Sequence, residues 1–320
     1  MTAAAGLLLL RRLWDRLEIG AWLDCRCSAL PGRYRPSLLV EQWVALLLYG
    51  GGWMSDLEWF GRRAVRRLFG WAGVPAPSTF GRWLRRAGEP VAEVLVELIR
   101  RIVRLRWEKR GVPASLTLVL DSTVILRYGE EQAGAETGYN PKKPGRPSHH
   151  PIVAFVQETG DLIGLRWRPG SAWTADGAEQ WLPELVGWLR EQGVEEITVR
   201  MDKGFHAKRI VRVLQELDVR YILKVPAGAH VIEALGSWRE SRRAEGIFEE
   251  AETVYTNSGR LWGDRLLALK GVRTVNTADE GGIDLETTEV VQSAYLLTNI
   301  PGVHSLTTWR AYNEGAVVEQ

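Results

Sequence analysis

Leu116-Thr117-Leu118-Val119-Leu120-Asp121-Ser122-Thr123 is a short β-forming run that stops on an acid. Its composition predicts a strand. The strand is apolar enough to lie centrally in a sheet. A charge in the middle of that sheet would be cut off from water, so Asp121 belongs at the sheet's end, where α/β folds tend to place chemistry. Ile197-Thr198-Val199-Arg200-Met201-Asp202 repeats the arrangement and runs into the turn signal Lys203-Gly204. A lone strand-terminal Asp is more often a cap or turn residue than a catalytic one. The pair therefore draws its meaning from what surrounds it.

Working outward, residues 152–157 and 162–168, joined by the turn Thr159-Gly160-Asp161, add two strands and make a meander with the first. Residues 177–192 predict a helix with Trp181, Leu182, Leu185, Trp188 and Leu189 at helical spacing, a pattern of core aromatics rather than ligands. A helix over 206–217 and a strand over 220–225 follow the second acid. Between Lys224 and Tyr312 the runs 248–255, 261–269, 273–276 and 289–298 alternate or are β-branched, with turns at Asn257-Ser258-Gly259 and Glu280-Gly281-Gly282. This predicts a β-rich insertion over 227–304, after which a helix from about Ser305 returns to the sheet. The insertion accounts for the 117 positions between Asp202 and Glu319, the third acid that the chain's end offers.

Charge is unevenly spread. Residues 1–110 carry 19 Lys and Arg against 10 Asp and Glu, whereas residues 111–320 carry 22 against 29. Arg62, Arg63, Arg66 and Arg67 fall on one side of a predicted helix whose other side offers Leu57, Phe60 and Leu68. Pro75 and Pro77 break the chain, Ser78 or Thr79 can cap a second helix, and Arg82, Arg85 and Arg86 share one of its faces. Two short basic helices joined by a turn fit helix-turn-helix binding of duplex DNA. They equally fit a solvated arginine face on a helical bundle, and the charge split favours DNA. An amphipathic helix over 91–107, with Val94, Leu95, Leu98 and Val103 inward, ends at Gly111-Val112-Pro113, which sets a helical domain at 1–112.

Composition, 45% hydrophobic and 25% charged over 320 residues, is that of a folded protein of two or three domains. Cys25 and Cys27, one residue apart, fit neither a disulfide framework nor a zinc site and read as free thiols of a reducing compartment. Residues 6–10 and 38–49 are too short for a signal peptide and a membrane span, which needs about 20 apolar residues. Lys142, Lys143, Arg146, His149 and His150 form a basic, proline-stiffened loop after Asp121 that is suited to gripping backbone phosphate or to plain solvation. The His-His pair lacks a third ligand for a transition metal.

Two segments make the chain resemble the DDE transposases of bacterial insertion sequences, in the group with a β-rich insertion before the last acid. One is Trp309-Arg310-Ala311-Tyr312-Asn313-Glu314-Gly315-Ala316-Val317-Val318-Glu319-Gln320, in which Tyr312 and Glu319 stand at the family's spacing. Gly315 occupies the family's Arg position, and its Lys position lies beyond residue 320, so the resemblance implies a C-terminally truncated copy. The other is the segment from Gly138 to Pro151. The likeness extends over roughly residues 35–320.

The resemblance implies an α/β fold with an RNase H-like mixed sheet, its core beginning over 113–226 and resuming with the final catalytic helix, cut short, over 305–320. Asp121, Asp202 and Glu319 would be catalytic and would hold two Mg²⁺ ions, for which Mn²⁺ can substitute. Asp121 would bridge the ions, and each other acid would hold one. Tyr312 would contact phosphate, and Trp262 in the insertion would stack on an unpaired base. The implied activity is metal-dependent cleavage and strand transfer of transposon ends carrying terminal inverted repeats, by a homodimer on double-stranded DNA in the bacterial cytoplasm, at the nucleoid. Two alternatives stand beside it: an inactive DNA-binding remnant, and a nuclease that cuts without joining.

Overall fold

The computed structural model describes residues 6–28, 30, 32–128, 132–138, 140, 143–243, 246–257, 260–278 and 285–313. The chain divides into two compact units, Met1–Arg106 and Trp107–Gln320.

The first unit is helical, with α1 (Leu8–Arg16), α2 (Ile19–Arg26), α3 (Pro36–Leu48), a 3-10 helix (Met54–Gly61), α4 (Arg63–Phe69) and most of α5 (Pro77–Arg110). Trp14, Leu23, Leu39, Leu57, Phe60, Trp71 and Phe80 are among the residues of its core. One acid is buried there as well. Glu41, 2% exposed, accepts from Nη1 of Arg11 at 2.9 and 3.1 Å and from Nε1 of Trp71 at 3.0 Å.

The arginine-bearing helix differs from the expectation. Arg62 is extended (φ −59°, ψ 133°), so the stretch breaks into two elements. Leu57 and Phe60 are buried from the 3-10 helix, and α4 buries Val65 and Phe69, while Leu68 faces outward. The next helix starts on Pro77 rather than on a Ser78 or Thr79 cap; the first turn of a helix tolerates proline because its N–H needs no partner there. The helices expected on either side of residue 90 are joined into the bent α5. Pro90 removes a helical N–H and crowds the carbonyl four residues back. Gly88 takes up the distortion at φ 49°, ψ −149°, a conformation closed to residues with a Cβ.

The second unit is built on a nine-stranded sheet. Its chain order is β1 (Ser115–Ser122), a small three-stranded sheet of β2 (Ile125–Leu126), β3 (Glu136–Thr137) and β4 (Pro147–His149), then β5 (Ile152–Val156), β6 (Asp161–Arg166), α6 (Ala178–Glu191), β7 (Glu196–Met201), α7 (Lys208–Glu216) and β8 (Arg220–Lys224). There follow α8 (Ala229–Leu235), β9 (Arg239–Arg243), β10 (Gly246–Asn257), β11 (Arg260–Ala278), β12 (Leu285–Thr298) and α9 (Ser305–Asn313). The large sheet has the order β6-β5-β1-β7-β8-β12-β11-β10-β9. β1, β7 and β8 are parallel, and β5 is antiparallel to both β1 and β6. The predicted succession of three strands, helix, strand, helix and strand is present, with β1 in the interior of the sheet and the α/β class as expected.

The insertion continues this sheet. Leu296, Leu297 and Thr298 of β12 pair antiparallel with Lys224, Leu223 and Ile222 of β8. Asn299 fastens the junction, accepting from the backbone N–H of Tyr221 at 2.9 Å and donating to the Val219 carbonyl at 2.8 Å. The two runs expected at 261–269 and 273–276 form the single strand β11, whose ladder with β12 runs from Arg265 to Ala278 without a break. The short helix α8 precedes the insertion strands, in a stretch that the sequence read only as β-rich. The tryptophans of α6 are core, as predicted: Trp181 is 2% and Trp188 8% exposed.

Candidate active site

Asp121 is the penultimate residue of β1, and Asp202 directly follows β7. The parallel ladder between these strands runs to Leu120 opposite Met201. One step further sets the two acids side by side on neighbouring strands, whose backbones lie about 5 Å apart. Each side chain accepts one local backbone bond. Asp121 Oδ1 takes the N–H of Ser122 at 2.8 Å, and Asp202 Oδ1 takes that of Gly204 at 2.9 Å as it caps a 3-10 turn, Lys203–Phe205.

Both carboxyls are half-buried, and burial pushes both above the usual carboxylate range. For Asp202 the charge on Asp121 pushes in the same direction, while Lys203 and Lys224 pull it back; Arg200 does so for Asp121. Among the described residues no cationic side chain reaches ion-pair distance of either acid.

Such a pair fits a divalent metal ion. The donors are hard oxygens, and a cation between them would relieve both the repulsion and the desolvation that raise their pKa values. Among the described residues no cluster of three or more His, Cys, Asp or Glu can hold a metal ion, so the site as described has two ligands. Glu319 and Lys142 lie outside the described residues, as does the side chain of Trp262, whose backbone belongs to β11.

Tyr312, on the last turn of α9, is held by two of the cations that act on this pair. Its ring lies 5.1 Å from the guanidinium of Arg200 and 5.6 Å from the ammonium of Lys224, and its carbonyl accepts from Arg200 Nη1. Arg200 is 4% exposed. Two of the three cations that pull on the acids, Arg200 and Lys224, therefore also hold the end of α9. The sequence reading passed over both; the available signal was an arginine inside the otherwise apolar run 197–201.

His149 and His150, expected to grip phosphate, are 4% and 3% exposed and lie inside the fold. Nδ1 of His150 is 2.8 Å from the Ala172 carbonyl, which assigns the proton to that nitrogen and leaves Nε2 to accept from Ser122 Oγ at 3.1 Å. His149 Nδ1 accepts from the indole of Trp167 at 3.2 Å. Their neighbours in the same segment behave differently. Lys143 and Arg146 are exposed and gather on the ring of Tyr128, at 5.5 and 5.1 Å. Next-but-one to an apolar strand, a histidine packs as readily as it binds, and nothing in the loop's composition separated the two outcomes.

Of the N-terminal arginines, Arg62, Arg63, Arg67, Arg82, Arg85 and Arg86 are exposed and Arg66 is half-buried. Arg62 lies over the ring of Trp59 at 5.8 Å, and Arg82 donates to Thr79 Oγ1 at 3.1 Å.

Two carboxylates at the ends of adjacent parallel strands make a candidate site for a divalent metal ion. The family model for the transposase DDE domain, group 1, matches residues 1–259, and the chain belongs to that family. Its members share a nuclease and strand-transferase type of activity and generally use divalent metal ions. Among solved structures, the chain is similar to a piggyBac transposase synaptic complex with hairpin DNA, at 14% identity over 97% of this chain and 67% of that one, with a TM-score of 0.44. It is also similar to a Mos1 transposase paired-end complex with the left transposon end, at 16% identity over 62% of this chain and 60% of that one, with a TM-score of 0.25. No curated protein sequence matches it. No helix among the described residues is long and apolar enough to cross a membrane.

Proposed function

We propose that this protein is the transposase of an insertion sequence, which binds terminal inverted repeats and cuts and joins DNA at Asp121, Asp202 and Glu319. The observation that carries the reading is the pair of half-buried acids at adjacent strand ends, each with one backbone N–H and, among the described residues, no cation in contact. A structural carboxylate so placed is costly unless paired; a metal ligand has to be left that way.

Asp121 and Asp202 would hold Mg²⁺ or Mn²⁺, which when bound neutralises charge on the scissile phosphate and lowers the pKa of the attacking water. Glu319 follows Tyr312 by seven residues, the spacing of two helical turns. A helix continued that far would carry both on one face, the face that Arg200 and Lys224 meet at Tyr312. Exposed Lys143 and Arg146, with Lys142, would meet backbone phosphate near the cut. The arginines of α4 and the start of α5 would bind the duplex, Trp262 would stack on an unpaired base, and synapsis of two ends calls for a homodimer at the bacterial nucleoid.

Gly315, in the place of the family's arginine, favours a second reading: a remnant that binds DNA in a salt-dependent way without cutting it. The test is cleavage of a labelled duplex carrying the element's own end, with Mg²⁺ or Mn²⁺. Metal-dependent nicking by this chain that disappears in Asp121→Ala supports the transposase. Binding without nicking supports the remnant, and nicking without strand transfer supports a nuclease that cuts but does not join. Nicking that survives Asp121→Ala overturns the site.

A further inference from the structure

The parallel ladder that aligns the two acids stops one residue short of them. Its last pair is Leu120 opposite Met201, so no pair of that ladder sets the spacing of the two like charges beyond it. A loop from another strand reaches the same place. β5 is antiparallel to both β1 and β6, so β6 runs in the direction of β1, and the loop that leaves it, residues 167–177, emerges at the acids' end of the sheet.

Thr174 in this loop meets both strand ends. Its Oγ1 lies 3.5 Å from Oγ of Ser122, and Gly204 packs so closely on it that a Cβ there would come within 2.8 Å of Cβ, Cγ2 and Oγ1 of Thr174. The φ of Gly204 lies outside the left-handed region, so the glycine answers to this close approach rather than to a turn. Ser122 and Gly204 are also the residues whose N–H groups bond Asp121 Oδ1 and Asp202 Oδ1, at 2.8 and 2.9 Å.

The loop holds Thr174 from behind. Arg168, 9% exposed, donates from Nη1 to the carbonyls of Trp173, Thr174 and Asp176 at 2.8, 3.1 and 2.8 Å, and from Nε to that of His150 at 2.8 Å. His150 gives its Nδ1 proton to the Ala172 carbonyl and takes the one hydroxyl proton of Ser122 on Nε2, so Thr174 has to be the donor in its own contact with Ser122. The chain Thr174, Ser122, His150, Ala172 therefore begins and ends on the same loop and encloses the residue after Asp121.

We infer that Thr174 is a positioning residue that keys the end of β1 to the turn after β7 and so sets the separation of the Asp121 and Asp202 carboxylates to suit an ion as small as Mg²⁺. The inference rests on reading the acid pair as a metal site. Magnesium demands near-ideal octahedral oxygens at about 2.1 Å, whereas calcium accepts more variable contacts of about 2.3–2.6 Å. A spacing fixed by packing therefore matters more to the smaller ion. Groups that orient metal ligands without touching the metal are worth about 10- to 100-fold in affinity.

The test is calorimetric titration of the whole chain with Mg²⁺ and, separately, with Ca²⁺, beside thermal unfolding in EDTA. Thr174→Ala should bind Mg²⁺ about tenfold more weakly than wild type and Ca²⁺ within about threefold, and Thr174→Ser, which keeps the hydroxyl, should recover most of the Mg²⁺ affinity. Gly204→Ala disturbs the same contact from its other side and should show the same selective loss. A purely structural Thr174 would lower Tm in EDTA and leave the ratio of the two affinities at its wild-type value; that result, or unchanged binding of both ions in Thr174→Ala, overturns the inference. Mg²⁺ binding that is lost in the Asp121→Asn, Asp202→Asn chain while its ratio to Ca²⁺ ignores Thr174 refutes the positioning role and leaves the site standing. No Mg²⁺ binding by wild type, or binding that the doubly substituted chain retains, refutes the site itself and the inference with it.

Discussion

Two regions of this molecule bury carboxylates, and they do it in opposite ways. Glu41, in the helical unit, is met by the Arg11 guanidinium through two contacts and by the Trp71 indole N–H. Burial still pushes its carboxyl up, but Trp71 and Arg11 pull it back. Asp121 and Asp202, at the sheet's end, have one backbone N–H apiece, and Asp121 adds to the shift of Asp202. Burial alone does not distinguish a structural acid from a functional one. The difference lies in whether the fold supplies the compensating charge or leaves it to something that arrives later.

That contrast can be broken first through stability. Glu41→Ala leaves Nη1 of Arg11 and a core indole N–H without their acceptor and should cost about 3 kcal/mol in denaturant unfolding. Asp121→Asn and Asp202→Asn should cost nothing or stabilise the chain at neutral pH. Both acids have folded pKa values above their unfolded ones, so their ionisation withdraws stability as pH rises from the ordinary carboxylate range through the raised values. Unfolding of Asp121→Asn and Asp202→Asn well below wild type would erase the distinction.

A somewhat smaller effect sharpens it. Mg²⁺ at a hundred times its dissociation constant should stabilise the wild-type chain by about 2.7 kcal/mol, read as a rise in Tm, and should leave the doubly substituted Asp121→Asn, Asp202→Asn chain unmoved. Glu41 should play no part in that response. The smallest effect concerns the exposed cations. Arg63→Ala and Arg67→Ala should each lower the slope of log binding constant against log salt by about 1, without changing the rate of cleavage at saturating DNA. A change in cleavage rate with an unaltered slope would remove these residues from the duplex interface.

Much of the second unit was legible in the sequence because its signals are local. The apolar runs ending at Asp121 and Asp202 became β1 and β7, and the helical spacing of Trp181, Leu185 and Trp188 became α6 with those faces buried. What escaped was set by partners far away in the chain. Nothing near Arg200 announces Tyr312, 112 residues on. His149 and His150 misled for the same reason: exposure is decided by what packs over a residue, and the covering segment, residues 167–174, lies in another loop. In the helical unit the backbone break at Arg62 divided the expected arginine helix and moved the buried positions from Leu68 to Val65 and Phe69.

The junction of β12 with β8 has a wider meaning. Three residue pairs and the Asn299 bracket return the chain to a point beside where it left, next to the strand that ends at Asp202. The segment between residues 225 and 295 is therefore a cassette, joined to the core along this seam and by Asp264, which accepts from Tyr221 and Gln215. Evolution can lengthen, shorten or exchange such a cassette, and with it whatever it touches, while the geometry of the acids is inherited unchanged.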